Sequence, residues 1–274
     1  MFVRPIVSLL FLLVLVPLAQ GADRIRIAGS TSVLPIVAEA AKHYRQLHPG
    51  LSLTVSGGGS GVGVVSVGQG TVEIGMVSRD LTIREKKRLD GKVRQVAVAR
   101  DAVAVAVSKA VYMSGVKRLS LEQIAAIYRG EIRNWKQLGG PDARILVIDK
   151  ESSRGTRHVF ARVVLGNETA RAPGATIIAG SNNEEQAAIA NSDQAIGMLS
   201  NAWLNDAVRA VAIGGENAVL PTMEHVANGS YPIQRDLNLL VSDKSGKQSD
   251  AFVEFLLSDE GQQIVRQVGY LPVR

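Results

Sequence analysis

Short apolar runs rich in β-branched residues alternate along the chain with stretches whose apolar positions recur every three or four residues. The first kind predicts strands at 24–28, 51–56, 72–77, 93–99, 102–108, 144–149, 195–199 and 231–242. The second kind predicts helices. The clearest is 33–47, where Val33, Ile36, Val37, Ala40, Ala41 and Tyr44 form one stripe and His48-Pro49-Gly50 stops it. Others follow the glycine-rich Gly57–Gly61, begin at Ser120, open at Gly155, and cover 183–190 and 249–257; a short strand at 175–178 precedes the fourth of these. A last helix starts after Ser258, an N-cap with Asp259 and Glu260 in its first turn, and ends at Gly269. Strands handing over to helices throughout predict an α/β architecture with largely parallel sheets. The run at 102–108 is almost wholly apolar, as a strand covered on both faces would be.

The first residues depart from this alternation. Arg4, an apolar run over 6–18 and then Ala19-Gln20-Gly21 have the layout of a secretory signal, with cleavage expected after Gly21. The apolar run is short of the roughly 20 residues a membrane-crossing helix needs, so the expectation is a soluble chain in the periplasm or medium. The sequence has no cysteine, which removes disulfides, thiol chemistry and thiolate metal sites. About 250 residues then remain, enough for one large domain or two modest ones. A hydrophobic content of 46% marks a folded chain. The net charge of +6 suits anionic partners, but it is spread along the sequence and aromatics are only 4%. A basic stripe with stacking rings, as nucleic-acid binding needs, is therefore not present and no nucleic-acid partner is expected.

The informative residues lie where strands pass into helices. Gly29-Ser30-Thr31-Ser32, Gly57-Gly58-Gly59-Ser60-Gly61 and Ser152-Ser153-Arg154-Gly155-Thr156 each precede a helix. Helix starts offer unpaired N–H groups and a positive dipole end, hydroxyls add donors, and glycine lets a ligand reach the main chain. One such turn reads as ordinary capping. Three of the same chemistry, one carrying an arginine, point to a shared anion site. Nucleotide-binding glycine patterns do not fit, because Val62, Val64 or Ser66 occupies the place of the last glycine in G-x-G-x-x-G, and Ser60 is not in G-x-S-x-G. His43, His48, His158 and His225 lack metal-ligand spacing, and no carboxylate pair is set out for acid–base work. No cofactor or metal is expected.

Taken in order, Gly29-Ser30-Thr31-Ser32-Val33-Leu34-Pro35, Gly58-Gly59-Ser60-Gly61, Ile74–Leu81, Ile127–Trp135, Arg154-Gly155-Thr156, Ala195–Met198, Tyr231-Pro232-Ile233-Gln234-Arg235 and Gly269–Val273 resemble the phosphate-binding proteins of bacterial ABC transporters, over essentially the whole chain after the signal. The resemblance implies a two-lobed periplasmic-binding-protein fold with a ligand cleft between lobes joined by crossover strands. It places 22–103 and 232–274 in one lobe and 104–231 in the other. It implies a monomeric, non-enzymatic carrier that closes on inorganic phosphate and delivers it to a transmembrane permease. The ligands it implies are Ser30, Thr31, Ser32, Ser60, Ser78 and Arg79 from one lobe, and Ser153, Arg154, Gly155 and Thr156 from the other. Two departures touch selectivity: Lys150 stands where the family has an arginine and Arg154 where it has a serine, and Ser78 is followed by Arg79 before Asp80. A buried carboxylate would favour protonated phosphate over sulfate. Asp80 is the candidate for that acceptor, with Glu151 in reserve. A carrier of another oxyanion such as sulfate, a sensor or adhesion module, and a secreted phosphate-ester hydrolase are the competing readings.

Overall fold

The computed structural model describes residues 24–274. The signal-sequence assignment lies outside the described residues. The chain runs β1 (Arg24–Gly29), α1 (Leu34–Leu47), β2 (Ser52–Ser56), α2 (Ser60–Gly68), β3 (Ile74–Val77), α3 (Ile83–Leu89) and then the long β4 (Val93–Ser108). Next come α4 (Lys109–Met113), β5 (Arg118–Leu119), α5 (Leu121–Arg129), β6 (Leu146–Lys150), α6 (Gly155–Val164), β7 (Ile177–Ala179), α7 (Asn182–Ala190) and β8 (Ala195–Ser200). The chain closes with β9 (Val208–Ala210), β10 (Ala212–Ile213), α8 (Met223–Ala227), β11 (Gln234–Ser242), α9 (Lys247–Leu257) and α10 (Asp259–Gln267). Among the described residues, no helix is long and apolar enough to cross a membrane.

The strands join in the order β2-β1-β3-β11-β4-β8-β6-β7, with β9 also on β4 and a separate β5–β10 pair. Within each end of this path the pairings β1–β2, β1–β3, β6–β7 and β6–β8 are parallel, as strand–helix alternation predicts. Those made by β11 with β3 and β4, and by β4 with β8 and β9, are antiparallel. The difference has a simple cause: β4 and β11 carry the chain out of one lobe and back into it, so they run in opposite senses.

Apolar positions sort into separate cores. One gathers Ile25, Ile36, Tyr44, Met76, Leu239 and Phe252, drawn from both ends of the chain. Another gathers Val105, Ile124, Tyr128, Trp135, Phe160 and Tyr231, drawn from its middle. Ala102, Val103 and Ile233 pack in the middle core, whereas Ala99 and Leu237 pack in the terminal one. The chain therefore passes from one core to the other across residues 100–101 on β4 and 234–236 at the start of β11.

The two strands expected at 93–99 and 102–108 are one strand of 16 residues. Arg100 and Asp101 do not interrupt it, because β11 covers this stretch and sets Arg235 opposite Asp101. α3, which apolar periodicity does not reveal, buries only Leu89 and is defined at its start by a capping box in which Thr82 accepts from the Glu85 N–H and Glu85 reaches back to the Thr82 N–H.

Candidate functional site

The serine-rich turns meet. α1, α2 and β3 are packed together, and their neighbouring loops put Ser30, Ser32, Ser60 and Ser78 side by side, all buried. Ser30 Oγ donates to Ser78 Oγ at 2.8 Å, Ser60 Oγ lies 3.3 Å from Ser78 Oγ, and the Ser78 N–H donates to Ser60 Oγ at 3.1 Å. α6 comes from the other lobe with its first turn aimed at this group. Thr156 Oγ1 lies 3.2 Å from Ser32 Oγ, and the Gly61 N–H donates to the Ser153 carbonyl at 3.1 Å. A β-carbon on Gly155 would stand 2.4 Å from both Ser60 Oγ and Ser78 Oγ. Only glycine allows the helix start to approach so closely.

The charge at the centre comes from Arg235, on the crossover strand β11. Its Nη1 donates to Thr156 Oγ1 at 3.0 Å and to the Ser78 carbonyl at 3.2 Å, and its Nη2 to Ser32 Oγ at 2.9 Å. The guanidinium thus touches hydroxyls of both lobes. It is held by Asp101 on the other crossover strand, through Nε at 2.9 Å and Nη2 at 2.6 Å to one carboxylate oxygen. Ser200 donates to the second oxygen at 3.1 Å and lies 2.8 Å from the Tyr270 hydroxyl, which donates to the Ser32 carbonyl at 2.7 Å. Burial pushes the Asp101 carboxyl up, and the Arg235 charge and the hydrogen bonds from Arg235, Ser200 and Asn201 work against it. A carboxylate kept on an arginine in this way fixes the direction of the guanidinium toward the hydroxyls.

Two groups bearing on the site were not read from the sequence as ligands. Arg235 stood in a recognised motif without an assigned role. Asn182, at the first turn of α7, donates from Nδ2 to Thr31 Oγ1 at 3.3 Å and to Ser32 Oγ at 3.1 Å. The signal for it was present, since Gly180-Ser181-Asn182-Asn183 is a fourth small, polar turn before a helix. Lys150 and Glu185 form a buried ion pair between β6 and α7, and Lys150 also donates to the Ser181 carbonyl at 3.1 Å. Burial lowers the Lys150 pKa and raises that of Glu185, each opposed by the other's charge.

Of the expected residues, Ser30, Thr31, Ser32, Ser60, Ser78, Gly155 and Thr156 are brought together. Arg154 lies at the rim, packed over Gly59 of the opposite lobe, with Nε donating to Glu151 at 2.8 Å. Ser153 is exposed and contributes its carbonyl rather than its hydroxyl. Arg79 is buried but turned to Glu85, which it grips at 2.7 and 2.8 Å. Asp80 is not placed in the cluster: its side chain is 74% exposed and pairs at 2.9 Å with Arg162 of the other lobe. Glu151, 49% exposed, is likewise outside. β3 ends at Val77, so strand alternation does not extend to Asp80 and the turn carries it to the surface.

Comparison with known proteins agrees with this architecture. The model of the PBP superfamily domain matches residues 17–260. The phosphate-binding protein PstS of Bacillus subtilis is 34% identical over 93% of this chain and 82% of its own length. The PstS protein of Borreliella burgdorferi is 29% identical over 91% of this chain and 90% of its own. Among solved structures, a putative phosphate ABC transporter substrate-binding protein from Clostridium perfringens with bound phosphate superimposes with a TM-score of 0.84 at 34% identity, covering 92% of this chain and 100% of that one. An ABC-type phosphate transport receptor from Vibrio cholerae gives 0.72 at 31% identity, with 90% and 99% covered. With its two lobes, crossover strands and serine-lined cleft, the chain belongs to the PBP superfamily and, within it, to the family of the PstS phosphate-binding proteins.

Proposed function

We propose that this protein captures inorganic phosphate between its lobes outside the cytoplasm and delivers it to the permease of an ABC transporter. The observation that carries the reading is the convergence of Ser30, Ser32, Ser60, Ser78 and Thr156, from both lobes, around the Arg235 guanidinium. Such a set suits a small multiply charged oxyanion. Taking the anion out of water costs several kcal/mol. Hydrogen bonds to a charged group return about 1.5–3 kcal/mol each, so a handful of them offset that cost and leave the roughly 8 kcal/mol of micromolar binding. The bodies that would move are residues 24–99 with 237–274 against residues 102–233, since Ala102, Val103 and Ile233 pack in the middle core rather than with the chain ends, and the proposed ligands are the five hydroxyls with Thr31, Gly155 and Arg235.

Binding without covalent chemistry is the role this site supports, as the relatives are binding proteins. The N-terminal pattern and the family support export from the cytoplasm. Calorimetric titration of the purified protein with phosphate and with sulfate tests the assignment. Saturable phosphate binding, tighter than sulfate by at least roughly a hundredfold, is the expected result. Sulfate binding of equal strength would overturn it.

A further inference from the structure

The hydroxyls of the cleft are polarised toward donation. Ser32 Oγ accepts from Asn182 Nδ2 at 3.1 Å and from Arg235 Nη2 at 2.9 Å, which fills both of its lone pairs and leaves its O–H to donate. Thr156 Oγ1 accepts from Arg235 Nη1, Ser60 Oγ from the Ser78 N–H, Ser78 Oγ from Ser30, and Ser30 Oγ from the Ser32 N–H. A cleft of donors satisfies a fully deprotonated oxyanion as well as a protonated one. Phosphate near neutral pH still carries a P–OH, and its hydrogen needs an acceptor once water is excluded.

The carboxylates within reach are engaged. One oxygen of Asp101 accepts two bonds from Arg235, and the other accepts from Ser200 and the Asn201 N–H. Glu185 is held by Lys150 and by the Met198 N–H. Asp80 and Glu151 face solvent. Against this, Asn182 is 1% exposed, its amide touches Thr31 and Ser32, and its Oδ1 is buried with no hydrogen-bond partner. With Nδ2 donating to the two hydroxyl oxygens, the carbonyl is left buried and unpaired, which is costly unless a donor arrives.

We infer that the side-chain carbonyl of Asn182 accepts the hydrogen bond of the protonated phosphate oxygen, making Asn182 the residue that sets the preference for phosphate over sulfate. The inference rests on the phosphate reading above and adds to it a neutral acceptor in place of a carboxylate. It also gives α7 a role in reading the ligand rather than only in closing the lobe.

The test is calorimetric titration of the full mature protein, N182A and N182D with phosphate and sulfate in turn. N182A removes the acceptor, and the phosphate-to-sulfate affinity ratio is expected to fall at least about tenfold, mainly through weaker phosphate binding. N182D keeps the shape and adds a charge, and the ratio is expected to rise about tenfold or more, because a carboxylate repels sulfate while still accepting from a P–OH. If N182A does not fold, the nearly isosteric N182D decides alone. Equal losses toward both anions, or an unchanged ratio, would show Asn182 to be only a support for Thr31 and Ser32. Failure of the unmodified protein to bind phosphate would instead overturn the proposed function, and this inference with it.

Discussion

Arg235 and Asp101 form a buried pair that joins two strands and points a charge at the proposed ligand site. Lysine would carry the charge but not the fork that reaches Asp101, Ser32 and Thr156 together. Arg235→Lys is therefore expected to weaken phosphate binding at least about tenfold by calorimetry, with folding retained. Unchanged affinity would show that the fork is not used. Serine and threonine are legible as candidate site residues because their chemistry repeats at three helix starts. Arg235 is not, since its place depends on β11 lying beside β4 and on its pairing with Asp101, 134 residues away in sequence. Arg79 misled for the opposite reason. It follows Ser78 directly, yet Glu85, in the first turn of α3, captures its guanidinium. The exposed Asp80–Arg162 pair is of the kind worth about 0–1 kcal/mol, so it contributes little to holding the lobes together.

Helix starts supply most of the proposed ligand-binding groups. α1, α2, α6 and α7 are each opened or directly preceded by small polar residues, and the apolar faces of α1 and α6, legible by periodicity, anchor those two in the cores on either side. What periodicity does not show is how closely one start approaches another. At Gly155 a methyl group would meet two serine oxygens, so Gly155→Ala is expected to weaken phosphate binding at least about tenfold by obstructing closure, because overpacking a tight contact costs about 1–3 kcal/mol. A thermal melt of the unliganded variant should stay near that of the unmodified protein, since open lobes remove the clash. Full binding by a folded Gly155→Ala protein would mean that α6 does not need this contact. Helix α3 escaped the sequence reading because one buried leucine leaves no stripe to find.

At the scale of the molecule, β4 and β11 join the lobes and Arg235 sits between them. If the lobes close around the ligand, small-angle scattering should show a smaller radius of gyration at saturating phosphate, and an unchanged curve with binding confirmed would count against hinge motion. The two-lobed plan was legible mainly through the order of the family's motifs. Continuity of β4 was not, because a charged Arg100-Asp101 step looks like a break until its partner strand is known. The split of the cores has a further consequence, for the order of folding. The middle core is built from one uninterrupted stretch of chain, whereas the terminal core needs Ile25 and Met76 to meet Leu239 and Phe252. Loop closure over such separations is slow, and domains emerge from synthesis or export beginning with the N-terminus. The lobe that contains the chain's beginning is thus the one that must wait for its end, and until β11 arrives the edges of β3 and β4 that it will cover stand open to pair with other chains.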